Sequence, residues 1–404
     1  MQLPFGDGTI DVSLPDCDVT VLERPGGEAV DAREAARAAM ADPRGPPLDA
    51  VVDADDEVAV VVTDVTRATP DDVLLDVFFE HLPVDREQVS VVLGLGLHRP
   101  MTDDEIESAL GDHVDLAENH DPDAAVEVGD VDGTPVMLNR TVADADVVLS
   151  TGMVEPHQYA GFSGGAKTVV IGAGGEPIIR YTHGPEMVSE PGVRLGRTDG
   201  NPFRETVDRA GDVAGLDFCL NVTEGPEGVL GAAAGDPRAV VADLAETAKE
   251  ALSSTVDREY DAVVAGVGAP KDANLYQTTR AATYLVLGDR NPVKAGGRVV
   301  LPARLQEGAG EGRGEQRFYE WLSNADSADA LYEAMRQGYE PGAQRAFVVA
   351  RALRQCDLYV TNSERPDVPE ACLMHARDTV AEAVDPGSDV LVVPDALDTL
   401  VVSD

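Results

Sequence analysis

The stretch EVAVVVTDVTR, residues 57–67, runs from an unbroken apolar segment straight into Asp64 and Arg67, and Thr69-Pro70-Asp71-Asp72 follows at once. A segment this apolar, rich in β-branched residues and without polar alternation, fits a strand covered on both faces, as in a parallel sheet. The threonine, the proline and the two acids that follow fit a helix start: a cap, proline at the first helical position, and negative charge in the first turn. A buried strand that ends in charged residues and turns directly into a helix is the repeating unit of α/β architecture.

The same alternation continues outward. Apolar runs of strand length recur at 89–95, 146–150, 261–266, 298–301 and 389–393, separated by helical patterns, and Thr102-Asp-Asp-Glu105 reads as a capping box. The fold expected is α/β with two domains, each a largely parallel sheet flanked by helices, and the active site in the cleft between them. A boundary is expected near 252–258, after a helical segment at 239–251. That yields an N-terminal domain over 1–254 and a C-terminal domain over 258–391, with the tail 392–404 free to return to the first. The glycine- and acid-rich segment 306–315 reads as a lid or linker rather than a cofactor cradle.

Composition narrows the partners. The 404 residues carry 31 Lys+Arg against 74 Asp+Glu, a formal charge of -43 spread along the whole chain. Nucleic acid is excluded as a partner, because phosphates need a basic face. Dispersed acid with scarce lysine suits a halophilic protein, in which salt screens the self-repulsion. The absence of a long apolar run and of a secretory leader predicts a soluble cytoplasmic chain with no membrane partner. Cys17, Cys219, Cys356 and Cys372 form no C-x-x-C pair and read as reduced, buried thiols.

Three polar clusters follow three successive apolar runs: Asp64-Val-Thr-Arg67, then Gly94-Leu-Gly-Leu-His98-Arg-Pro100, then Glu155-Pro-His157. Ligands of open α/β sheets bind outside the carboxyl ends of the strands, so these groups are expected to converge on one crevice. Taken singly, each has a plainer reading. Asp64 and Arg67 fit an ion pair at a helix start, His98 and His157 fit turns, and His183 fits a helix end with the next glycine as cap. As a set they suggest chemistry. Two imidazoles facing one another suit removing a proton from one face of a substrate and delivering it to the other, and a third suits a metal.

Lys167 stands out in a chain whose other lysines are only Lys249, Lys271 and Lys294. It closes GFSGGAKT, residues 161–168, one glycine short of a phosphate-binding loop. A P-loop needs its strand directly before the first glycine, whereas here the preceding apolar run ends near Ser150 with His157 in between. Ser163, Gly164 and Gly165 remain suited to close approach by a phosphate or a flat cofactor.

The run Glu155-Pro-His157-Gln-Tyr-Ala-Gly-Phe-Ser-Gly-Gly-Ala-Lys167, with His183 beyond it, resembles the central motif of the nickel-dependent lactate racemase family. Asp64-Val-Thr-Arg67, Gly-Leu-His98-Arg-Pro-Met-Thr and Asn274-Leu-Tyr-Gln277 resemble its other signatures, and together they span most of the chain. The resemblance implies a nickel-pincer nucleotide cofactor attached to Lys167, with His183 as the protein's nickel ligand. It implies His98 and His157 as the acid/base pair, Arg67 on the substrate carboxylate, and Asp64, Ser163, Gly164 and Gly165 around the cofactor. Gln277 and Arg280 would face a 2-hydroxy acid from the second domain, and cofactor-maturation proteins would be partners. Arg280 stands where the family carries lysine, and Ala166 where it often carries arginine. Those departures bring malate or a sugar acid into competition with lactate. Two readings of other classes remain: a nucleotide-phosphate hydrolase built on the near P-loop, and a binding protein without cofactor.

Overall fold

The computed structural model describes residues 1–340 and 342–403. By their internal contacts these form two units, one of Gly26–Ala251 and one joining Met1–Pro25 to Leu252–Asp404.

The Gly26–Ala251 unit is built on a six-stranded sheet in the order Gly228–Gly235, Leu216–Gly225, Val147–Met153, Val58–Val62, Val89–Leu93, Ala117–Asn119. All neighbours run parallel except the antiparallel hairpin formed by the first two. Every residue of Val58–Val62 and of Val147–Met153 is buried, which is why both read as continuous apolar runs. From Val58–Val62 the chain moves outward to Val89–Leu93 and Ala117–Asn119, then returns to lay Val147–Met153 on the other side. The order therefore reverses between these two central strands, and the crevice at their carboxyl ends is where such sheets bind ligands.

The second unit has its own six-stranded, all-parallel sheet: His375–Arg377, Asp357–Thr361, Val293–Pro302, Tyr260–Ala265, Asp389–Val393, Asp18–Val21. All six apolar runs read from the sequence lie in strands of one sheet or the other. The domain limits differ from those expected. Residues 1–25 belong with the C-terminal sheet, because Asp18–Val21 pairs with Asp389–Val393 at the edge. The tail stays there too, with Leu400–Val402 paired parallel to Ser253–Thr255. Segment 306–315 is tied down: Gly308 O accepts from Leu275 N, Glu307 accepts from Asn274, and Glu315 closes a capping box on the Arg313–Ser323 helix. Among the described residues no helix is long and apolar enough to cross a membrane.

Helix starts follow local chemistry with one shift. Thr102 caps the Asp103–Leu110 helix through the expected box with Glu105. Thr69 does not cap the next helix, which begins at Asp71 behind Pro70; its hydroxyl turns inward instead.

Candidate active site

The loop after Val58–Val62 carries the first two groups. Asp64 is buried at its mouth, and Oδ1 accepts both the amide (3.1 Å) and the hydroxyl (2.5 Å) of Thr66. Its other oxygen takes Nδ1 of His98 at 2.6 Å, although the His98 side chain itself is 61% exposed. Burial alone would raise the Asp64 pKa, but the His98 hydrogen bond and charge, with the Thr66 bonds, hold it below the ordinary carboxylate value. Arg67, in the same loop, forms an ion pair with Glu155 across the point where the strand order reverses.

Beneath this loop lies a polar knot. The Thr63 hydroxyl donates to Asp71 Oδ2 (2.9 Å) and lies 2.8 Å from the Thr69 hydroxyl, while Thr151 donates to Asp71 Oδ1. Asp71 is fully enclosed, and burial pushes its pKa up to about 7. The knot joins the ends of two central strands to the first turn of the Asp71–His81 helix and so braces the loop holding Asp64 and Arg67.

After Val147–Met153 the chain makes a small antiparallel hairpin, Pro156–His157 against Gly161–Phe162. Nδ1 of His157 accepts the amides of Tyr159 (3.3 Å) and Ala160 (3.1 Å) across its turn. Gly161 has φ +75°, and a Cβ there would stand 2.0 Å from Arg197 O, so only glycine fits.

The glycine-rich loop is not an open phosphate cradle. Ser163 Oγ donates to Met153 O (2.6 Å) and accepts Glu155 N, and Gly165 N donates to Asn221 Oδ1 (2.8 Å). A Cβ at Gly164 would meet Asn221 and Val154 at 2.7 Å, and one at Gly165 would meet Val241 at 2.8 Å. These glycines admit protein neighbours, and the amides a phosphate would use are partly committed. With a hairpin in place of the strand a P-loop needs, the nucleotide-hydrolase reading loses its structural basis.

Lys167 stands at the head of a helical turn over Thr168–Gly172, and the His98 loop packs on that turn through Gly96 N to Gly172 O at 2.7 Å. His183, at the end of the Glu176–Thr182 helix, is buried. Thr182 donates to Ile178 O (2.8 Å), so His183 Nδ1–H donates to Ile179 O (3.1 Å) and the lone pair resides on Nε2. Burial, with the positive charge of Lys167, lowers its pKa to about 3, which keeps the ring neutral. A neutral imidazole whose second nitrogen is anchored on a carbonyl is the arrangement of a metal-ligating histidine, and imidazole suits nickel. Among the described residues no group of three or more His, Cys, Asp or Glu could hold a metal. A metal bound here would take most of its donors from outside the chain.

His157 and His183 are linked by shared aromatic neighbours. Tyr159 lies 5.6 Å from the first ring and 5.4 Å from the second, and Phe203 lies 6.2 and 5.0 Å away. His98, His157, Lys167 and His183 thus belong to one connected set within one unit. The other four histidines do structural work: His81 donates to Val77 O, His113 contacts Asp76 and stacks on Phe79, His120 donates to Gly174 O, and His375 lies against Tyr359.

Residues that no motif marked hold this set. Asn201, fully buried, donates to Tyr159 O (2.7 Å) and Arg197 O (2.8 Å) and caps the Pro202–Val213 helix. Arg204, also buried, donates to Phe162 O and Gly164 O and pairs with Asp208. Glu155, quoted only as a neighbour of His157, is the counter-ion of Arg67. The asparagine-proline pair before a helical pattern is a readable cap; the arginine carries no local signal.

Gln277 and Arg280 sit in the other unit, on the Leu275–Val286 helix capped by Asn274. Buried Arg345 supports that helix by donating to Tyr276 O and to Thr283. Arg280 Nε is buried without a hydrogen-bond partner among the described residues.

The family pattern of the lactate racemase N-terminal domain matches residues 5–196. Over these residues the chain is similar to the lactate racemases. A lactate racemase of Lactiplantibacillus plantarum is 27% identical, the match covering 85% of this chain and 84% of the relative. That of Thermoanaerobacterium thermosaccharolyticum is 24% identical over 99% of both. Among solved structures, the lactate racemase apoprotein from T. thermosaccharolyticum superposes with a TM-score of 0.88 over 99% of both chains at 22% identity. A protein from Thermotoga maritima reaches 0.70 at 18% identity, covering 95% of this chain and all of its own. The family's fold is therefore that of this chain.

Proposed function

We propose that the protein interconverts the enantiomers of a 2-hydroxy acid, with lactate as the substrate. The observation that carries this reading is the connected set at the carboxyl ends of one parallel sheet: the Asp64–His98 pair, the Arg67–Glu155 pair, the His157 hairpin, and Lys167 beside a neutral His183.

Arg67 presents a guanidinium to the substrate carboxylate, which takes the place of Glu155 in a forked, charge-assisted pair. His98 and His157 manage the proton of the substrate hydroxyl. Lys167 is the attachment point of a nickel-pincer nucleotide, and His183 Nε2 is its protein ligand to nickel; bound there, that group supplies the acceptor for the hydride leaving C2. Tyr159 and Phe203 keep the metal side of the site dry. Ser163, Gly164 and Gly165 shape the floor under Lys167, and Asp64 closes the cofactor side. Loading the cofactor calls on maturation proteins. The cytoplasm is the proposed location, and the charge of -43 suits a saline one.

Arg280 keeps a positive charge but changes reach and hydrogen-bond geometry where the family carries lysine, so malate or a sugar acid is the alternative to lactate. The test is protein made alongside the maturation machinery, confirmed by intact mass to carry an adduct and nickel, and assayed on the enantiomers of lactate, malate and a sugar acid. Racemised lactate supports the proposal. Turnover of another acid alone ends the lactate assignment, and a loaded protein inert on the whole panel ends the racemase reading. An unmodified chain with full activity would remove the cofactor.

A further inference from the structure

Arg67 and Glu155 follow the two central strands of their sheet, and each is fixed through its own backbone. Arg67 N donates to Asp64 O (3.0 Å) in a tight turn. Glu155 is bound to Ser163 twice, its amide donating to Ser163 Oγ (3.0 Å) and its carbonyl accepting the Ser163 amide (2.9 Å). Beside it, Val154 N donates to Val222 O (2.8 Å) and Val154 O accepts the Thr223 hydroxyl (2.7 Å). The Glu155 side chain can therefore swing off Arg67 while its backbone stays in place. With the two side chains 22% and 37% exposed, a small anion can reach the pair, and charges there act on one another through less water than at an open surface.

We infer that Glu155 is a specificity-determining residue that restricts the site to acids carrying a single carboxylate. This deepens the racemase reading and rests on it for the place of Arg67 on the substrate.

The argument is one of charge. An incoming carboxylate must displace Glu155 from the guanidinium, and the displaced group stays within a side chain's length of the anion that replaced it. Arg67 compensates one substrate charge. A second carboxylate brings another negative charge into a neighbourhood that already holds Glu155 and Asp64, whose pKa lies below the ordinary carboxylate value. Like charges brought together on binding suppress the wrong partner. Lactate and monocarboxylic sugar acids pass this filter, and malate does not.

Propionate and succinate repeat the carboxylate count of lactate and malate but carry no hydroxyl, so neither can be turned over. Their dissociation constants can be measured by calorimetry on loaded protein, at one ionic strength because screening alters anion binding. Wild-type protein should bind propionate more tightly than succinate. Glu155→Gln removes the competing charge at nearly constant size. Propionate should then bind roughly two- to fivefold more tightly, as expected for loss of a partly exposed pair, and succinate should gain roughly threefold beyond that. Glu155→Asp keeps the charge and should keep the wild-type preference. An unchanged ratio in Glu155→Gln, undetectable binding included, overturns the inference. So does weaker propionate binding in that variant, a wild-type preference for succinate, or a Glu155→Asp ratio that moves with the glutamine variant. Failure of the racemase reading would look different: a loaded protein inert on every hydroxy acid while the two affinities shift as stated.

Discussion

The two six-stranded sheets, one wholly and one largely parallel, differ little in construction and sharply in what their carboxyl ends carry. In the Gly26–Ala251 unit, three strand ends lead into Asp64, His98 and the Glu155–His157 turn, each held by another member of the set. In the other unit, Tyr260–Ala265 leads into Gly266, where a Cβ would stand 1.9 Å from Pro394 O. Val293–Pro302 there leads into Arg304, whose partner Glu364 is half exposed. A parallel sheet provides a place where strand ends and helix starts face one opening. The difference lies in Asp64, only 7% exposed beneath His98, since enclosure shifts protonation and partnering fixes direction.

The sharpest break in this comparison is Lys167→Ala, which should reduce racemisation to background in protein made with the maturation machinery and leave an intact mass without adduct. Arg67→Ala comes next. Losing a charge-assisted fork costs about 3 kcal/mol, so kcat/KM should fall roughly 10²-fold, mostly through KM.

Arg204→Met tests the support of the glycine-rich loop. It strands Asp208 and two carbonyls, and breaking a buried pair costs about 3–5 kcal/mol, visible as a lower melting temperature. In the other sheet, by contrast, Glu364→Gln should change stability by less than about 1 kcal/mol, because the pair it breaks is largely solvated.

Between these lies a pair of pH effects with opposite signs. Unfolded His183 binds a proton near pH 6.5 and the folded one only near 3, so its contribution to stability is lost as pH falls through that window. His183→Gln should flatten that part of the acid limb of a denaturation series. Asp71 acts the other way. Its folded pKa of about 7 exceeds the unfolded value of 3.8, so its contribution is full below 3.8 and is lost as pH rises through about 7. Asp71→Asn should relieve the loss above neutrality.

Much of this was legible in the sequence because it is local. The residues 57–63 run and its counterparts are buried on both faces, and no polar alternation disguises them. The Thr102 capping box needs only its own four residues. The spacing of His157, Lys167 and His183 is a property of the chain. Most of the departures involve distant partners. Asp18–Val21 is short and half exposed, and its sheet partner lies at the far end of the chain. Thr69 resembled a cap, but its hydroxyl lies 2.8 Å from that of Thr63 instead. Glu155 stood in a polar cluster with no partner named, and nothing local marks Arg204 for burial.

What the sequence by itself determined is which segments become buried strands, where helices begin, and which side chains stand at the strand ends, since periodicity and capping depend on neighbours a few residues away. Only the tertiary structure decided who pairs with whom. It set His98 on a carboxylate, Arg67 on Glu155, and Asp18–Val21 beside Asp389–Val393. Hydrogen-bond direction and desolvation act between groups brought together from distant positions, and no local pattern records that meeting.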